Sequence, residues 1–157
     1  MRITIYAIGQ KHEAVFEKAI AHYANKIRHY FKCQWEILPA AKLPTTASPA
    51  QVQEVELATT LKAIASTDKL VVLDERGRNI SSIELAQYLE KAGVDGTKHL
   101  GLLIGGAYGV HPQLLREAHF VWSLSNLVFP HQLVRVILSE QLYRAGTILR
   151  NEKYHHA

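Results

Sequence analysis

The sequence predicts a single α/β domain spanning residues 1–157, with a mostly parallel five-stranded sheet covered by helices. Three observations lead there. Five short apolar runs recur along the chain, amphipathic stretches at helical spacing separate them, and 157 residues suffice for one core but not for two domains.

The first run, Ile3 to Ile8, reads as a buried strand. A helix from about Glu13 to Tyr30 follows, because Ala14, Phe16, Ala19, Ile20, Tyr23 and Ile27 fall on one face. Cys33 to Leu38 is the second strand, and a polar, proline-bearing loop runs from about Ala41 to Ser48. Ser48-Pro49 has the form of an N-cap with proline in the first turn, opening a helix to about Ala65. Leu70 to Asp74 is the third strand. Ser81 with Glu84 makes a capping box for a helix over Ile83 to Ala92. Leu100 to Ile104 is the fourth strand, His111 to Ala118 a short proline-led helix, and Phe120 to Ser123 the fifth strand. The last helix, His131 to Arg150, is the longest, with a broad apolar face from Leu133 to Ile148. Nothing in the chain reads as a linker or a repeat.

Composition narrows the function classes. With 48% hydrophobic and 20% charged residues the chain is neither disordered nor fibrous. No apolar run approaches the roughly 18 residues of a membrane helix, and the opening residues read as a strand rather than a signal peptide, so a cytoplasmic protein without membrane partners is expected. The lone Cys33 excludes an internal disulfide and a cysteine-based zinc cluster, and reads as packing. The net charge of +4 is unevenly spread. Residues 1–48 hold seven basic against three acidic side chains, residues 49–130 seven against nine, and residues 131–157 four against two. If the two basic ends meet, they form a face that attracts phosphates; otherwise the lysines are solvated surface.

Ligands of parallel sheets gather beyond the carboxyl ends of the strands. The loops there are Leu73-Asp74-Glu75-Arg76-Gly77-Arg78, Gly105-Gly106-Ala107-Tyr108-Gly109, and Leu124-Ser125-Asn126-Leu127-Val128-Phe129-Pro130. The glycines allow close backbone approach but match neither the dinucleotide nor the Walker pattern, and taken alone they read as a tight turn. The third loop is unusually apolar, which suits either burial or an apolar ligand such as an adenine ring. His131, at the start of the last helix, either caps it or faces an anion. Glu140 and Arg144, four apart, form an ordinary helical ion pair in the plainest reading. From the residues alone, the chain is an α/β domain with a nucleotide-like ligand.

Taken in order, the opening Ile3-Thr4-Ile5 strand ending in Gly9, Leu73-Asp74 with Gly77, Leu103-Ile104-Gly105-Gly106 with Gly109, Trp122-Ser123-Leu124-Ser125, Phe129-Pro130-His131 with Val134-Arg135-Val136, Glu140-Gln141-Leu142-Tyr143-Arg144-Ala145 and Tyr154-His155 resemble the RlmH family over essentially the whole chain. The resemblance implies the SPOUT superfamily and its C-terminal trefoil knot, which no periodicity in the sequence indicates and which runs against the general rule for connections. It further implies a homodimer that uses S-adenosylmethionine, and no metal, to methylate N3 of a pseudouridine in helix 69 of 23S ribosomal RNA on the assembled ribosome. Carried onto this chain, donor contacts fall on Leu73, Gly105, Leu124, Ser125, Asn126, Leu127, Val128 and Phe129. His131, Arg144 and Tyr154 fall at the reacting base as catalytic residues, with His155 as a substrate contact. On that reading Arg144 stabilises the imide anion, and His131 or Tyr154 orients the base or relays its proton. Two positions depart from the family pattern: Val128, often Thr, and the terminal Ala157 in place of a charged ending. The alternatives are a SPOUT methyltransferase acting on tRNA and a non-catalytic nucleotide-binding knot protein.

Overall fold

The computed structural model describes residues 1–156; the ending at Ala157 lies outside the described residues. In chain order the elements are β1 (Arg2–Ile8), α1 (Ala14–Ile27), β2 (Lys32–Leu38), α2 (Pro49–Ile64), β3 (Lys69–Asn79), α3 (Ser82–Val94), β4 (His99–Ile104), α4 (Pro112–Glu117), β5 (Phe120–Ser123) and α5 (His131–Leu149). All strands are parallel, in the order β2-β1-β4-β3-β5.

Alternation along each strand divides the core between two faces. Ile3, Ile5 and Ala7 of β1, with Leu100, Leu102 and Ile104 of β4, pack under α1, α3 and α5; Tyr6, Ile8 and Leu103 point the other way, toward α2 and α4. β4, central and buried at every position, carries the apolar run Leu100 to Ile104 after His99, as a strand covered on both faces requires. Each leucine buried there stabilises the fold by about 1.5–3 kcal/mol. The helix starts follow local chemistry: Ser48 and Ser81 each accept the N3 backbone N–H and receive the reciprocal side chain of Gln51 and Glu84.

The third strand outruns its expected length. Its pairing with β5 shifts register between Leu73 and Arg78, then resumes at Arg78 and Asn79. The charged and glycine residues taken for a plain loop are therefore a bulge inside a strand. A Cβ on Gly77 would sit 2.5 Å from the Val121 carbonyl oxygen, so the return of the chain to β5 requires glycine.

The two ends of the chain meet. The Tyr30 hydroxyl donates to Glu152 at 2.5 Å, and Arg150 donates to the His29 carbonyl at 2.7 Å while stacking over the Tyr30 ring. The tail is thus tied onto the end of α1. Among the described residues no helix is long and apolar enough to cross a membrane.

Candidate active site

α1 and α3 leave their strands toward one face of the sheet, α4 toward the other, so the loops after β1, β4 and β3 diverge and open crevices at the carboxyl edge. A cavity of about 470 Å³ fills the crevice above β4, β3 and β5. Leu73, Gly105, Leu124, Ser125, Leu127, Val128, Phe129 and His131 all line it; Asn126 does not. The apolar loop is not buried by the protein itself, for Leu127 and Val128 are 70% and 79% exposed. Its shape is set by Ser123 Oγ donating to the Ser125 carbonyl at 2.9 Å and by Ser125 Oγ accepting the Leu127 N–H at 3.0 Å. Asn79 braces the same turn through the Ser123 carbonyl, so the far end of β3 holds the loop after β5.

At the rim, Arg76 grips Asp74 with two hydrogen bonds, of 2.7 and 2.9 Å. That guanidinium holds the Asp74 carboxyl below its ordinary range. A donor with an apolar ring, a polar sugar and a charged tail fits these residues: an apolar ledge, a glycine floor and charged groups at the rim.

His131 caps nothing. Pro130 occupies the N-cap, and His131 Nδ1 is buried without a hydrogen-bond partner. Burial first, then the neighbouring Arg135 cation, push the imidazole below its ordinary value, so His131 is neutral near pH 7. Arg135 stands in the sequence only within the Val134-Arg135-Val136 match, with no role of its own. It is wholly buried, donates from Nη1 to the Gln10 carbonyl at 2.9 Å, and has no partner for Nε or Nη2. Its signal was positional: Arg135, Leu138, Leu142 and Ala145 share the inward face of α5.

His12, 3.2 Å from Arg135 Nη1, is lowered by the same two causes. Both rings bind protons less readily when folded than when unfolded. Their contribution is therefore complete above the ordinary value of 6.5 and is lost as pH falls through the lowered folded values. Thermal melts between about pH 7 and pH 5 should show falling stability, with a shallower fall in His131→Gln. An identical slope in that variant would refute this origin.

Arg144, Tyr154 and His155 form a separate cluster. Arg144 Nη2 pairs with Glu140 Oε1 at 2.5 Å, the Tyr154 hydroxyl donates to the same oxygen at 3.1 Å, and the guanidinium lies 4.7 Å over the Tyr154 ring. His155 Nδ1 stands 3.4 Å from Arg144 Nη1. Burial, then hydrogen bonding, push the Tyr154 phenol far above its usual value, so it is a donor and not a base. Arg144 follows His131 by thirteen residues on α5, about 20 Å along the axis. Within one chain the two groups do not converge.

This sheet, with its ligand crevice formed by three carboxyl-end loops, is that of a methyltransferase class: a family model described as "Predicted SPOUT methyltransferase" matches residues 1–155, and the chain belongs to that family. Its curated relatives include the ribosomal RNA large subunit methyltransferase H of Parabacteroides distasonis, 40% identical over 156 residues and covering 99% of each chain. Solved structures share the fold at low identity. A probable methylase family protein of Haemophilus influenzae has a TM-score of 0.57 at 16% identity, covering 99% of this chain and 70% of that one. A methyltransferase of Legionella pneumophila, solved with bound S-adenosylmethionine, has a TM-score of 0.50 at 12% identity, covering 93% and 67%.

Proposed function

We propose that this chain methylates N3 of a pseudouridine in helix 69 of 23S ribosomal RNA within the assembled ribosome, acting as a homodimer with S-adenosylmethionine as donor. The observation that carries the reading is the cavity at the ends of β3, β4 and β5, with the cationic cluster of Arg144, Tyr154 and His155 standing apart from it. Bound there, the donor supplies an activated methyl group whose bond to sulfur breaks as the bond to N3 forms.

The chain's own residues have three tasks. Leu73, Gly105, Leu124, Ser125, Leu127, Val128 and Phe129 hold the donor and exclude water, while Asn126 of the same loop stands outside the cavity lining. His131, neutral and lining the cavity, takes the imide proton. Arg144 stabilises the resulting anion, with Tyr154 as a hydrogen-bond donor and His155 against the substrate. Because one chain keeps these groups about 20 Å apart, a second copy must bring its Arg144 cluster to the first copy's cavity.

Ribosomes from a strain lacking the enzyme, incubated with the purified protein and donor and then mass-mapped, should gain one methyl group on that pseudouridine. Transfer should weaken steeply as salt rises while donor affinity stays flat, because the basic ends meet phosphate and the donor cavity does not. Methylation of tRNA instead, or a flat salt response, would contradict the proposal.

A further inference from the structure

A second cavity, of about 360 Å³, adjoins the first and shares Gly106, Ala107, Tyr108 and His131 with it. It occupies the crevice between β1 and β4, where the chain leaves toward opposite faces. Ala40, Ala41, Leu43 and Pro44 give it an apolar wall, and the carboxylate of Glu56 lines it from α2.

Glu56 is 5% exposed, and among the described residues no cation pairs with it. Oε1 accepts the Ala41 N–H at 3.2 Å; Oε2 lies under the glycine turn, 3.0 Å from where a Cβ on Gly106 would be. Burial raises the acid above its ordinary value. A carboxyl group held this way is costly to the fold, and a leucine or methionine would suit an apolar helix face better. Its spare lone pairs suit a donor brought by a ligand.

The reacting base is a flat, polar ring that must leave its stack to reach a methyl donor. Pseudouridine is joined to ribose through carbon, so its N1 carries a hydrogen. In uridine the same nitrogen is the glycosidic atom and carries none. We propose that the second cavity receives the target base and that Glu56 accepts the N1–H of pseudouridine, making this carboxyl group the specificity determinant against uridine. The inference rests on the function proposed above. Uridine placed in this cavity leaves Oε2 of the carboxyl group without a partner, which weakens its binding.

The test compares kcat/KM on ribosomes carrying pseudouridine or uridine at the target position, for wild type, Glu56→Leu and Glu56→Gln. Wild type should prefer pseudouridine. Glu56→Leu should lower that preference roughly tenfold or more, with donor affinity unchanged, and Glu56→Gln should lower it by less. If Glu56 only braces Ala41 and Gly106, both substrates slow together and the preference stays, which overturns the assignment. Should Glu56→Leu not fold, the near-isosteric Glu56→Gln decides alone: a reduced preference supports the role and an unchanged one removes it. Wild type that methylates neither ribosome would refute the underlying function, and with it this role. A wild type that prefers pseudouridine beside variants that keep the preference refutes only the Glu56 role.

Discussion

Arg144→Ala is expected to slow methyl transfer by about 10²–10³-fold while leaving affinity for S-adenosylmethionine nearly unchanged. The side chain is held before any substrate arrives. Glu140 fixes its orientation through Nε at 3.0 Å and Nη2 at 2.5 Å, and the Tyr154 ring packs against its plane. A cation so placed requires no reorganisation as charge develops on the imide, which is why its removal falls on the rate. Arg144→Lys should recover only part of the loss, since an ammonium cannot keep the two-pronged hold on Glu140. Single-turnover rates beside calorimetric donor titrations separate the two effects. Weaker donor binding at an unchanged rate would place Arg144 in the donor site instead.

Gly105→Ala should weaken donor binding by about tenfold or more and lower the melting temperature. The added Cβ would stand 2.7 Å from Val110 Cγ2 and 2.9 Å from the Gly109 carbonyl carbon. Gly109 closes its turn through the bridge to Gly106, so the strain against its backbone is relieved only by shifting that turn. Overpacking of this kind costs about 1–3 kcal/mol. The turn also walls the donor cavity, so the displacement is felt by the ligand. A destabilised variant with ordinary donor affinity would show that the turn is a structural brace alone.

Much of this molecule is written locally. Capping by Ser48 and Ser81, the proline starts of α2 and α4, and the apolar runs of β1, β2, β4 and β5 each follow from a few neighbouring residues. The far half of β3 does not, because Asp74 to Asn79 are polar, and only the late arrival of β5 beside them makes that stretch a strand. A ligand crevice was partly legible for a similar reason in reverse: the apolar loop after β5 is an anomaly in the sequence itself, while the glycines alone read as a tight turn. Glu56 was not legible, and Arg135 had only its place on the inward face of α5. A charged residue on an amphipathic helix ordinarily faces water, and only the packing of α5 against α1 and of α2 against the glycine turn buries these two. His131 was left between cap and ligand contact until Pro130 took the N-cap and Nδ1 proved unpartnered. The separation of Arg144 from the cavity follows from the length of α5, yet its meaning needs the folded chain.

The central claim is that each active site combines the cavity of one chain with the Arg144 cluster of another. His131→Ala and Arg144→Ala proteins, each strongly slowed, should be unfolded together, refolded at equal concentration and assayed. Half the dimers are then mixed, and each mixed dimer holds one intact site of two, so about a quarter of wild-type activity should return. If each site is instead built within one chain, the mixture stays as slow as its parents.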